Sequence, residues 1–333
     1  MDVRIGITRS LLFYHYFPLW RAFFQGLGTE IVLSPPTNRL ILERGMRLGA
    51  GDLCLPMKVH LGHVESLKGK IDFLFLPRLV SFSADTYLCP KFLGLPDFVK
   101  AAIEDLPPLL APCFNAKVPG KGIHEGLRKV GISLEADQKR IGASIGEAVA
   151  SQRRFEELLQ EGCSPLSAMR LPDAGKEEPP EVQRVPRPEL PLIVILGHPY
   201  NLYDEFLNFD LLKQVSGWGF AVQTPEMISP ERAEEKNALF RKKIYWSLTR
   251  RIVGAALYFL HSRRVEGMIF ISSFGCGPDS FSKDLIDRRV KAFYPLPYLS
   301  LIFDEHTSQT GLQTRLEAFL DMVQARRMRA VGH

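Results

Sequence analysis

The chain has 333 residues, 46% of them hydrophobic and 24% charged, which is the composition of a folded globular protein and excludes a disordered or fibrous one. Its 42 Lys and Arg against 37 Asp and Glu leave a net charge of +5, and no run of five basic residues forms an arm, which weighs against nucleic acid as a partner. No apolar stretch reaches the 18 uninterrupted residues of a membrane span and the opening MDVRIGITRS lacks a secretory pattern, so a cytoplasmic location without membrane contact is expected.

In chain order, Val3–Thr8 is β-rich, Leu19–Leu27 reads as a helix closed by Gly28, and Glu30–Ser34 as a second strand. Thr37 is placed to cap a helix running to about Leu48. Met57–Leu67 reads as the next helix, Ile71–Leu76 as a third strand, Pro96–Ile103 as a short helix and Leu109–Pro112 as a fourth strand, with Gly120–Glu161 mostly helical. Prolines at 165, 172, 179, 180, 186, 188 and 191 among charged residues mark a linker.

The second half repeats the alternation. Strand Leu192–Leu196, helix Glu205–Val215, strand Ala221–Thr224 and a long helical stretch Pro230–Arg263 come first. Strand Gly267–Ser272, helix Asp279–Val290, strand Tyr298–Ile302 and helix Gly311–Arg326 follow. Short apolar strands alternating with helices predict an α/β fold of two doubly wound parallel-sheet domains, 1–164 and 191–333, joined by a linker at 165–190.

Ligands of such sheets sit beyond the carboxyl ends of the strands. Three segments at such places, or at a helix start, carry a cysteine: Asp52-Leu53-Cys54-Leu55-Pro56-Met57-Lys58, Leu88-Cys89-Pro90-Lys91 and Phe274-Gly275-Cys276-Gly277-Pro278-Asp279. Pro56 can open a helix and leave Cys54 facing unpaired backbone N–H groups, a position that stabilises a thiolate. Gly275 and Gly277 would let backbone approach something bulky, and Asp279 can cap the helix that follows. The five cysteines are an odd number in a chain that needs no staples, so they read either as inert thiols or as metal ligands.

Three thiolates from Cys54, Cys89 and Cys276 would suit a 4Fe-4S cluster with one open iron, although their spacing is unlike that of a zinc finger or a ferredoxin. Cys113 is a weaker candidate as fourth ligand, and Cys163 reads as incidental. Lys58 and Lys91 would offset the charge of a bound cluster; the alternative for Lys58, His60 and His63 is a helix surface or cap. His198, Tyr200 and Asp204 follow the first strand of the second half, and Glu305 and His306 follow its last, where acid–base work and a structural network are both open. No GxxxxGK(S/T), no GxGxxG after the first strand and no GxSxG occurs, which weighs against nucleotide hydrolysis and a serine hydrolase.

Together with Gly6-Ile7-Thr8-Arg9, Tyr16-Phe17-Pro18-Leu19-Trp20, Gly62-His63, Gly197-His198-Pro199-Tyr200-Asn201, Asp304-Glu305-His306-Thr307 and Thr314-Arg315-Leu316-Glu317-Ala318-Phe319, these motifs resemble the 2-hydroxyglutaryl-CoA dehydratase superfamily. More narrowly, the chain is similar to the CoA-substrate-specific enzyme activase-related (acyl-CoA dehydratase activase-related) proteins. The resemblance spans nearly the whole chain except the Pro-rich stretch. It implies two flavodoxin-like halves with a 4Fe-4S or larger iron-sulfur cluster in the cleft between them, held by Cys54, Cys89 and Cys276. It further implies a separate ATP-dependent activase or reductase as electron donor, an acyl-CoA thioester or other small molecule as substrate, and a homologous subunit as partner. His198, Tyr200, Glu305 and His306 are then the residues expected around the substrate. A non-catalytic cluster-binding scaffold and a metal-free binding module are the competing readings.

Overall fold

The computed structural model describes residues 3–170, 189–262, 265–293 and 296–331. These residues divide into two compact units: 3–157, 165–170 and 245–247 form one, and 158–164, 189–244 and 248–331 the other. The Pro-rich stretch expected as a linker opens with a helix, Pro165–Arg170, and its residues 171–188 lie outside the described residues. Arg21 ties this helix to the first unit by donating to the Met169 carbonyl at 3.0 Å.

The first unit contains strands β1 (Arg4–Ile7), β2 (Glu30–Leu33), β3 (Phe73–Phe75), β4 (Arg78–Ser81), β5 (Leu109–Leu110) and β6 (Cys113–Asn115). Four of them make a parallel sheet in the order β2-β1-β3-β5, with Ile5 opposite both Ile31 and Phe73. Beyond Pro77 and Pro112 the same two chain segments pair again as the two-stranded β4-β6 sheet. Proline removes a ladder donor and forces this break, which the expected single strands did not show. Cys113 therefore stands within a strand, opposite Arg78, and not in a loop.

The second unit contains β7 (Leu192–Leu196), β8 (Ala221–Gln223), β9 (Val265–Ser273) and β10 (Tyr298–Phe303), parallel in the order β8-β7-β9-β10. Both sheets thus run second, first, third, fourth, so each is flavodoxin-like with its topological switch between its first and third strands. Strands β7 and β9 are apolar on both faces because helices cover both; Val194, Leu196, Met268 and Phe270 pack with Ile252, Val253 and Ala256 of helix Ser247–Ser262.

Three helices depart from the sequence reading for local reasons. Helix Phe13–Gly26 starts six residues early, because its aromatic first turns are buried and Trp20 stacks on Phe114 at 5.5 Å, so the core holds it helical through Pro18. Asn38, not Thr37, caps Arg39–Leu48, accepting the Ile41 N–H at 3.0 Å; the Thr37 hydroxyl is engaged with His63 instead. The stretch expected as one helix over Pro230–Arg263 is two, Pro230–Asn237 and Ser247–Ser262. Between them Tyr245–Ser247 pairs with the first unit: Trp246 bridges to Tyr87, and the Ser247 N–H donates to the Tyr87 carbonyl at 2.9 Å.

Helices Arg39–Leu48 and Leu55–Leu67 touch backbone to backbone. A Cβ at Gly45 would overlap the Lys58 carbonyl, and one at Gly62 the Ile41 carbonyl, so these two glycines set the crossing that orients Leu55–Leu67. Among the described residues no helix is long and apolar enough to cross a membrane.

Candidate functional site

In the first unit the functional side chains hang from the start of helix Leu55–Leu67. Cys54 is its N-cap residue, with extended backbone, and its carbonyl accepts the Met57 N–H at 3.0 Å; Pro56 sits in the first turn, where no donor is missed. Cys89 repeats the arrangement: it caps the short helix Pro90–Leu93, and its carbonyl accepts the Phe92 N–H at 2.9 Å. The loop ahead of Cys89 is held by residues far along the chain. Tyr87 stacks on Tyr245 at 5.0 Å, and the Thr86 and Ser247 hydroxyls lie 2.7 Å apart.

Lys58, His60 and His63 are all buried, so the helix-surface reading of these residues is corrected. Glycine contacts draw this helix inward against its neighbour, and the polar groups are satisfied internally. Lys58 donates from Nζ to the Gly51 carbonyl at 3.3 Å, across the loop that leads into Cys54. His63 is bonded on both nitrogens, Nδ1 to Ser34 Oγ at 2.8 Å and Nε2 to Thr37 Oγ1 at 3.0 Å. Ser34 Oγ also accepts the Arg9 N–H at 2.8 Å, so the ends of β1 and β2 and this helix share one network. His60 Nδ1 lies 2.9 Å from Ser10 Oγ, just past the end of β1. Burial pushes both imidazoles down to about 3, and His63 is lowered further by His60 and Arg9 nearby, so both are neutral at physiological pH.

In the second unit the loops after β7 and β9 are bonded to each other. His198 caps helix Pro199–Leu202 and places Nδ1 2.5 Å from Asp279 Oδ1, with both side chains almost wholly buried. Asp279 Oδ2 accepts the Ser273 N–H at 3.2 Å and the Asn201 amide at 3.4 Å, and Ser273 Oγ donates to Asn201 Oδ1 at 2.8 Å. Asp279 is therefore not a cap: it lies inside the first turn of helix Gly277–Phe293 and reaches back across the Cys276 loop. Cys276 stands immediately before that helix, buried, with its carbonyl accepting the Ser280 N–H at 3.0 Å. Tyr200 stacks on the His198 ring at 5.1 Å and 9°.

The structure thus gathers His198, Tyr200, Gly275, Cys276 and Gly277 at the β7/β9 switch point. The two glycines have different reasons. Gly275 has φ 76°, which side chains resist; a Cβ at Gly277 would meet nothing within 4 Å. Gly275→Ala is expected to cost about 1 kcal/mol in urea unfolding and Gly277→Ala almost nothing; the reverse order would show that the loop is not built this way. Lys91 is half-buried in the first turn after Cys89.

Glu305 and His306 follow β10, the edge strand, in a turn closed by Asp304, whose Oδ1 accepts the His306 N–H at 3.0 Å and the Thr307 hydroxyl at 2.8 Å. His306 is exposed. Sequence reasoning missed the partner role of Asp279 and a buried pair after β8: Tyr203 Oη donates to Glu226 Oε2 at 2.8 Å and lies 2.6 Å from Thr224 Oγ1. Burial pushes the Glu226 carboxyl up. The signal for Asp279 was its place three residues after Cys276 in the same motif; Glu226 carried none.

Among the described residues no three His, Cys, Asp or Glu side chains gather into a metal site; Cys54 and Cys89 belong to one unit and Cys276 to the other. A comparison with curated proteins finds no match. Residues 4–228, which take in the whole first sheet and strands β7 and β8, match the family described as CoA enzyme activase uncharacterised domain. The match covers both cysteine-bearing helix starts of the first unit and the His198 loop, and by it the chain belongs to the CoA enzyme activase-related family.

Proposed function

We propose that this chain is an iron-sulfur redox component of an acyl-CoA dehydratase-type system, holding a 4Fe-4S cluster through Cys54, Cys89 and Cys276. In this reading a separate ATP-dependent activase supplies electrons, and a small molecule, of which an acyl-CoA thioester is the leading class, receives them. One observation carries the reading. Each of the three cysteines stands directly before a helix with proline in its first turn, and each carbonyl accepts a bond from that turn. A helix N-terminus favours the negative charge of a thiolate, and a set of soft thiolates suits iron-sulfur ligation. The chain shows this same local device three times, whereas Cys113 is in a strand and Cys163 follows the end of a helix.

When bound, such a cluster supplies a low-potential one-electron donor. The chain's own residues do the rest. The His198 imidazole, held beside Asp279, exchanges a proton or hydrogen bond with a substrate group, and Tyr200 holds its plane by stacking. Lys58 and Lys91 bring positive charge to the two helix starts of the first unit.

Anoxic purification with iron and sulfide analysis, and EPR after dithionite, tests this on the wild type and on Cys54→Ala, Cys89→Ala and Cys276→Ala. About four irons per wild-type chain with a reducible signal, lost in each variant, is the expected result. A colourless, iron-free and folded wild-type protein would overturn it.

A further inference from the structure

The motif Gly6-Ile7-Thr8-Arg9 spans the carboxyl end of β1, the ligand side of the first sheet, and closes on an arginine to which the proposed function gives no role. Arg9 is half-buried and held at three points. Its N–H donates to Ser34 Oγ at 2.8 Å, its Nε donates to the Ser34 carbonyl at 3.0 Å, and its guanidinium carbon lies 5.7 Å from the centre of the Phe13 ring. A side chain that would otherwise sample many rotamers is thus fixed beside the end of β2. Nε is spent, and the two terminal nitrogens, Nη1 and Nη2, bond nothing among the described residues and are not sealed from solvent. No counter-charge accompanies this cation. Arg4, Arg78 and Arg250 are paired with Asp72, Asp97 and Glu234, whereas the titratable side chains near Arg9 are Tyr14 and His63, with no carboxylate among them. Burial holds His63 neutral and lowers the Arg9 guanidinium from its ordinary value, yet an arginine stays charged at physiological pH.

We propose that Arg9 is an anion-binding residue of the first unit, taking the carboxylate or phosphate group of a small molecule on Nη1 and Nη2. A positive charge partly withdrawn from water without a partner costs folding free energy, and an incoming anion removes that cost. The geometry sets the class. A fixed guanidinium with two adjacent free N–H donors matches two oxygens of one carboxylate or phosphate, and a neutral amide or a single halide ion makes only part of that contact. Charge sets the limit. No second cation acts on Arg9 among the described residues, so one anionic group is held and a polyanion finds a single contact. The site lies apart from the cysteines: His63, which shares Ser34 with Arg9, stands nine residues after Cys54, about 14 Å of helix rise. This goes beyond the proposed function and stands without it, because it involves no cluster ligand.

Nitrogen-15 NMR of the full chain tests this at the residue itself. The Arg9 Nε–H, assigned through the Arg9 backbone amide and slowed in exchange by its bond to the Ser34 carbonyl, is followed while sodium acetate or inorganic phosphate is titrated in. Acetamide is the neutral control, and sodium chloride at matched ionic strength is the control for screening. The expected result is a saturable shift at Arg9 Nε with acetate, phosphate or both, at least about tenfold tighter than with chloride and absent with acetamide. Saturation by acetate alone assigns a carboxylate and by phosphate alone a phosphate, and either supports the proposal. No shift at Arg9 Nε, or an equal response to chloride, overturns it. Arg9→Lys keeps the charge and removes the paired donors, so binding read at the Ser34 amide should weaken at least about tenfold; unchanged binding overturns the proposal, and if this variant fails to fold the wild-type titration decides alone. Iron content plays no part in these readouts, so this inference and the proposed function can fail separately.

Discussion

Lowering the pH from 7 to 5 is expected to remove about 4 kcal/mol of folding stability through His60 and His63 alone, roughly 2 kcal/mol each. Both imidazoles are held neutral in the folded chain, with burial pushing them down to about 3, while in the unfolded chain they titrate near 6.5. Between those values the unfolded state binds the proton and the native state does not. The stability they contribute is therefore present above about 6.5 and lost as the pH falls below it.

Urea unfolding of the wild type and of His63→Gln at pH 7 and pH 5 isolates one of the two. The variant's loss on acidification should be smaller by about 2 kcal/mol, and the same comparison with His60→Gln gives the other share. Parallel pH dependence in wild type and variants would mean that these histidines are not held neutral. Glu226 works in the opposite sense. Its carboxyl is raised by burial, so its contribution is present below the unfolded carboxylate range and lost as the pH rises. Glu226→Gln should accordingly lose less stability than the wild type as the pH rises above the carboxylate range, the opposite sense to the histidine variants, which keeps the two contributions distinguishable.

Replacing Asp279 by Ala is expected to cost about 3 kcal/mol or more, the largest effect of any single change at the β7/β9 switch point. The carboxyl group is fully buried, accepts the Ser273 N–H and the Asn201 amide on Oδ2, and stands in ion-pair contact with His198 Nδ1 through Oδ1. Alanine leaves the two donors without an acceptor in the interior, and the desolvation of an abandoned donor is what dominates such losses. Asp279→Asn keeps an acceptor oxygen but removes the charge opposite His198, so it should fall between wild type and alanine. Hydrogen exchange adds a local readout: amides 274–280, around Cys276, should lose protection in Asp279→Ala while those of the first unit do not. A variant within about 1 kcal/mol of wild type, with that loop still protected, would remove Asp279 from this role.

The consequence for function is geometric. Cys276 lies between Ser273 and Asp279, the two residues that bond the β9 loop to the His198–Asn201 segment. The candidate base and the candidate metal ligand of the second unit therefore move together, and a substitution at Asp279 should disturb iron retention as well as stability.

By itself the sequence determined the α/β class, the alternation of strands and helices in both halves, and the position of Cys54 at a helix start, whereas Cys89 was expected in a loop and the short helix Pro90–Leu93 after it came only with the structure. These are local properties. Apolar runs of strand length, helical periodicity and a proline that tolerates only a first turn act within a few residues, so no partner from elsewhere in the chain is needed to read them. Tertiary structure alone decided the identical strand order of the two sheets, the burial of Lys58, His60 and His63, the pairing of Tyr245–Ser247 with Thr86 and Tyr87, and the bond from Asp279 to His198. Each of these depends on residues tens to more than 150 positions apart, such as His60 with Ser10, or Ser247 with Thr86. A polar residue on a helix looks the same in sequence whether it faces water or a hydroxyl on a neighbouring strand. Only the packing of Gly45 and Gly62 against carbonyls, which brings two helix backbones together, turned that face inward and buried the histidines among the hydroxyls of Ser10, Ser34 and Thr37.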